Sequence, residues 1–127
     1  MVTETLKTFT EYIEHLLPKY RDLEVVVNVD DEYKSIVNVS KCKYYGIDDE
    51  FEYFGFIYND IGKPLTLQEM VDLLKQYCES IVNQNTSVCV IGRYDGDNVY
   101  PLEIVDVNVK QIKTFGETEL FIEITTY

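Results

Sequence analysis

Carboxylates in close order are the main chemical resource of this chain. Asp30, Asp31 and Glu32 are consecutive, Asp48, Asp49, Glu50 and Glu52 follow in one short stretch, and Glu103 lies near Asp106. Two carboxyl groups that face each other divide acid and base roles when burial drives their pKa values apart. Glu50 and Glu52, two residues apart on extended chain, share a face in the way such a pair requires. They sit in charged surroundings and not in the unequal, partly buried environments that split such a pair, which argues for display rather than catalysis. Carboxylates along a strand and its turn imitate a row of phosphates, and interleaved tyrosines add rigid contact area of the kind interfaces favour. Asp30, Asp31, Glu32, Tyr44, Tyr45, Asp48, Asp49, Glu50, Glu52 and Tyr53 therefore form the candidate partner-binding set.

Other catalytic chemistry finds few residues to use. His15 is the one histidine, so a metal triad or a His-activated nucleophile would rest on it alone, and its place beside an apolar helical stripe reads as surface. Cys42, Cys78 and Cys89 are odd in number and lack C-x-x-C spacing, which suits buried thiols in a reducing compartment. No Walker loop, G-x-G-x-x-G, G-x-S-x-G or H-E-x-x-H is present. "DGD" at Asp95 to Asp97 lacks the alternating ligands and final glutamate of a calcium loop and reads as a hairpin turn. The expectation is a non-enzymatic protein with no cofactor and no metal.

Two stretches have to position these residues, and they resemble each other. "TFTEYIEHLL" at Thr8 and "TLQEMVDLLK" at Thr66 both open with a Thr-x-x-Glu capping box; a start nearer Thr3 is the alternative for the first. Leu6, Phe9, Ile13, Leu16 and Tyr20 form one apolar stripe, with Pro18 ending the helix; Leu67, Met70, Val71, Leu74, Cys78 and Ile81 form the other. β-branched runs follow each helix: Leu23 to Val29, Ile36 to Val39 and Phe51 to Tyr58, then Ser87 to Arg93, Ile104 to Val107 and Glu119 to Thr125. The predicted fold class is α+β: two αβββ units in tandem, 1–60 and 64–127, a pseudo-twofold duplication with antiparallel sheets each packed by one helix. About 60 residues bury too little surface to stand alone, so the units are expected to share one core in a single domain.

Asp+Glu 23 against Lys+Arg 11 gives a net charge of -12 and a sequence pI near 4.3. Residues 1–63 hold 13 acids and 7 bases and residues 64–127 hold 10 and 4, so each half carries -6 and the acidity is spread along the chain, not confined to a tail. Such a surface repels nucleic acid and anionic membrane. No apolar run approaches the ~20 residues of a membrane helix, and "MVTETLKTFTEY" lacks the regions of a signal peptide, so a cytoplasmic location is expected. In size, acidity, Tyr/Asp/Glu-rich strands and lack of catalytic motifs the chain resembles the small acidic proteins of phages and mobile elements, including anti-CRISPR and anti-restriction DNA mimics. "LTLQEMVDLLKQY" followed by "SVCVIGRYDGDNVYPLEIVDV" is also similar to a helix-then-hairpin pattern of small phage proteins. The resemblance implies an inhibitor of a nucleic-acid-binding defence protein, such as a nuclease with a basic surface. The other readings are an immunity protein that neutralises a toxin and a self-associating phage structural or assembly protein, which would form a homodimer.

Overall fold

Alternation of apolar and polar residues assigns each strand an inner face, and one inner face is shared by all six. The computed structural model describes residues 5–45, 50–59, 63–92 and 101–126. Along the chain these form α1 (Leu6–Glu14), α2 (Leu17–Tyr20), β1 (Val25–Val29), β2 (Glu32–Tyr45), β3 (Glu50–Asn59), α3 (Leu67–Tyr77), α4 (Ile81–Gln84), β4 (Ser87–Gly92), β5 (Leu102–Thr114) and β6 (Glu117–Thr126). The strands close into a barrel in chain order. Neighbours pair antiparallel except β3 with β4 and β6 with β1, which run parallel.

This overturns the expectation of two antiparallel sheets, each with its own helix. Among the described residues the fold is β-rich, with one mixed six-strand sheet. Alternation fixes which face of a strand is buried, not which strand lies beside it. Here the two parallel pairings join what would have been separate sheet edges, and closure removes the unpaired backbone groups an edge would expose.

Val25 and Val27, Ile36 and Val39, Phe54 and Phe56, Val88 and Val90, Ile104 and Val107, and Ile122 and Ile124 point inward. α1 supplies Leu6, Phe9 and Ile13 to the same cluster, and α3 supplies Leu67, Met70, Val71 and Leu74. Phe9 meets Phe56 with ring centroids 5.0 Å apart, and Phe54 meets Tyr77 at 4.8 Å. The helices also lie against each other.

The segments leading into the helices tie the halves together. Leu65 is held between β1 and β2: the Val25 N–H donates to its carbonyl at 2.8 Å, and its own N–H donates to the Ile36 carbonyl at 2.8 Å. Leu6 N–H donates to Thr86 O at 2.8 Å, while Thr5 bridges to Ser87 at the start of β4. β2 and β5 each carry a bulge, at Val37 and Val105, where the register shifts between Ile36 and Asn38 and between Ile104 and Asp106. The Asn38 and Asp106 side chains accept the following N–H, from Val39 and Val107, at 2.8 Å each. These bulges are what "IVNV" and "IVDV" encode.

The helix limits differ from the sequence reading. α3 has the expected capping box, Thr66 with Glu69, whereas α1 is capped by Thr5 with Thr8 as its reciprocal partner. α1 stops at Glu14, before Pro18, which instead lies in the first turn of α2, where its missing N–H leaves no bond unmade. Ile81 does not continue the stripe of α3; it is 76% exposed in α4.

Candidate functional site

Val29 pairs with Glu32, so the β1–β2 hairpin turns on Asp30 and Asp31 alone. Their φ values are 52° and 65°, the left-handed pair of a type I′ turn. Aspartate tolerates this region because its short side chain bonds locally. Asp30, Asp31 and Glu32 are all exposed. Glu32 is 2.9 Å from Lys34 Nζ, while among the described residues Asp30 and Asp31 form no ion pair. An open cavity of about 340 Å³ lies between this turn and Asn28, Leu102, Thr125 and Thr126.

The second acidic stretch behaves differently. Glu50 and Glu52 are exposed on the arm formed by β2 and β3, facing lysines of their own sheet. Lys43 Nζ is 3.4 Å from Glu50 Oε1 and 3.8 Å from Glu52 Oε1. Lys41 Nζ is 3.2 Å from Glu52 Oε2 and also donates to Asn83 of α4 at 3.0 Å. Exposed pairs of this kind add little stability. They do cancel the charge that a phosphate-like row would present. Tyr44 and Tyr45 end β2, opposite Phe51 and Glu50; Asp48 and Asp49, like the expected turn at Asp95 to Asp97, lie outside the described residues.

Tyr53 is 1% exposed, so its ring is packing and not a surface anchor. It sits on the outer face of the barrel, with Cys42 opposite it on β2 and Cys89 beside Gly55 on β4. Burial first, then the neighbouring thiols, raises the Tyr53 phenol to about 12. Burial, and then the Glu103 carboxylate, raises the Cys89 thiol to about 11. Cys42 donates its S–H to the Ser40 carbonyl at 3.4 Å. The raised thiol of Cys89 is the reverse of a catalytic cysteine, whose pKa is lowered.

The other acid and base candidates do not converge. Asp106 is engaged at its bulge, accepting from Val107 N–H and Asn108 Nδ2, each at 2.8 Å. His15 is exposed at the C-terminal end of α1. Among the described residues no three His, Cys, Asp or Glu side chains are grouped to hold a metal, and no helix is long and apolar enough to cross a membrane.

Two further surface features emerge from the structure. Tyr33 packs edge-on against Phe121, with centroids 5.2 Å apart, and its hydroxyl bonds to Glu123, which raises the phenol above its ordinary value. Glu123 Oε2 is buried and has no hydrogen-bond partner among the described residues. Only the parallel pairing of β1 with β6 brings these distant residues together, so no local pattern announces them. The second feature is Phe115, fully exposed at the tip of the β5–β6 hairpin; the Phe-Gly pair between two strand patterns was its signal. Comparison of the chain with protein-family models, with curated proteins and with solved structures finds no match.

Proposed function

We propose that this chain is a non-enzymatic acidic binding protein that occupies the basic, nucleic-acid-binding surface of a bacterial defence protein, such as a nuclease. The observation that carries this reading is the Asp30-Asp31 turn: two exposed carboxylates, in a fixed left-handed geometry, bordering an open cavity. A backbone already fixed in a tight turn loses little freedom on binding, and an arginine forms paired hydrogen bonds with a carboxylate. The net charge of -12 adds long-range attraction to a basic partner. Of the acids singled out from sequence, Asp30 and Asp31 are favoured over Glu50 and Glu52, whose charge the lysines of β2 offset.

The test compares the wild-type protein with an Asp30→Asn/Asp31→Asn variant, each immobilised and exposed to bacterial lysate. Asparagine suits a type I′ turn as well as aspartate does, so only charge changes. The expected result is a nucleic-acid-binding protein retained by the wild type, released by competing duplex DNA, and bound at least ~10-fold less by the variant. Equal retention by both, or retention that DNA does not disturb, refutes the reading.

A further inference from the structure

Phe115 is fully exposed, and its φ of 51° lies in the left-handed region that an aromatic side chain rarely adopts. With Gly116 at φ 81° it forms a type I′ turn between Thr114 and Glu117, at a position where asparagine, aspartate or glycine is the ordinary choice. The ring contributes no burial to this fold while its backbone is strained. Both penalties are explained if the ring is buried outside the molecule.

A matching receptor exists on the same chain. The cleft between α1 and the start of β5 has Phe9, Ile104 and Val107 as its buried floor and Tyr12, Val105 and Asp106 as its exposed rim. Its volume is about 170 Å³. An apolar cavity of ~150 Å³ holds a benzene molecule, so a phenyl ring fits. Beside the other bulge Tyr77 covers the comparable ground, with its hydroxyl donating to the Val39 carbonyl at 3.1 Å; beside Val105 the ground is open. Phe115 cannot fill its own cleft. The ten residue steps from Val105 to Phe115 run along one continuous strand paired to β6, a span of about 33 Å.

We infer that Phe115 of one copy seats in the α1–β5 cleft of a second copy of this chain. Knob and hole are different patches, so two copies either exchange knobs reciprocally in a twofold dimer or join head-to-tail into rings or open chains. Lys113, exposed beside the knob, complements Asp106 on the rim of the hole. The net charge of -12 on every copy opposes approach, so association strengthens as salt screens it.

Sedimentation over a range of concentrations tests this with three proteins: the wild type, Phe115→Asn without the knob, and Val105→Glu, which puts a charge on the exposed rim. Asn-Gly is the preferred type I′ pair, so Phe115→Asn should melt a few degrees higher than the wild type, and weaker association then cannot be attributed to unfolding. The wild type is expected to self-associate, as a dimer closed by two such contacts or as larger species. Each variant alone should associate ten- to a hundredfold more weakly. An equimolar mixture of the two should form a dimer and stop there, because one knob and one hole remain. A wild type that stays monomeric at every concentration and salt, association that survives Phe115→Asn, or a mixture that forms no dimer overturns the inference.

Discussion

Gly55 offers a sharp test of the packing on the outer face of the barrel. A Cβ added there would lie 2.8 Å from Ile91 Cγ2, 3.2 Å from Cys42 Sγ and 3.3 Å from Tyr53 Cε2. Ile91 is β-branched, so Cγ2 is fixed by a stiff χ1 and does not swing aside at low cost. Alanine in a strand would otherwise be favoured over glycine by roughly 0.5–1 kcal/mol, and overpacking costs about 1–3 kcal/mol. The net expected loss for Gly55→Ala is about 1–2 kcal/mol. At roughly 2.1 cal/mol/K per residue, a chain of 127 residues has an unfolding entropy near 0.27 kcal/mol/K, so Tm should fall by about 4–7 °C. Calorimetry on Gly55→Ala, Ile91→Ala and the double variant completes a cycle. Ile91→Ala removes the closest atom, and the double variant should be more stable than the sum of the single losses by about 1 kcal/mol. A Gly55→Ala protein that melts with the wild type, or a strictly additive cycle, would refute the placement of Ile91 over Gly55.

Alkaline pH probes the same cluster. Tyr53 titrates near 12 when folded against 10.0 when free, so its stabilising contribution is complete below pH 10 and is lost as pH rises towards 12. Tyr53→Phe should flatten the fall of Tm over that interval. With its pKa near 11, Cys89 in the native protein should be alkylated at about pH 8 two to three orders of magnitude more slowly than a free thiol, as peptide mapping after timed iodoacetamide treatment would register. At the start of α3, Thr66→Ala removes a capping hydroxyl and should cost about 1 kcal/mol, or ~4 °C in Tm. Hydrogen bonds from the Thr66 backbone, and then from its side chain, lower the pKa of Glu69. Its contribution is therefore present above the free value of 4.5 and lost as pH falls below it. Glu69→Gln should accordingly melt with less dependence on pH in that acid range than the wild type.

Local chemistry was legible wherever a few neighbouring residues settle the matter. Thr66 and Glu69 spell their capping box, and Asp30-Asp31 spells a turn. The Thr-x-x-Glu pattern points to Thr8 and not to Thr5, yet hydroxyls three apart serve equally well: Thr8 Oγ1 takes the place of a glutamate carboxylate, accepting the Thr5 N–H at 3.1 Å. Ile81 fits the 3.6-residue stripe of α3, yet the helix ends at Tyr77 and restarts after Ser80, which turns that side chain to the surface. Tyr53 looked like a surface tyrosine because Glu52 and Glu50 precede it. The neighbours that bury it, Cys42 and Cys89, come from strands on either side.

What local pattern does not carry is closure. The apolar residues of all six strands were visible as inner-face residues, and two antiparallel sheets would satisfy the same alternation. The choice is made by segments that read as linkers. Leu65 enters between β1 and β2 just where Val37 bulges β2 outward, and Thr5 bridges to the start of β4, whose partner β5 bulges at Val105. The segment preceding α3 is thereby bonded to strands of the first half, and the segment preceding α1 to a strand of the second. Neither half could keep those backbone bonds if the other left. One cooperative barrel follows, and with it the two places where its surface is least self-sufficient: the charged turn at Asp30-Asp31, and the Val105 bulge, whose open cleft is the price of admitting an extra residue into β5.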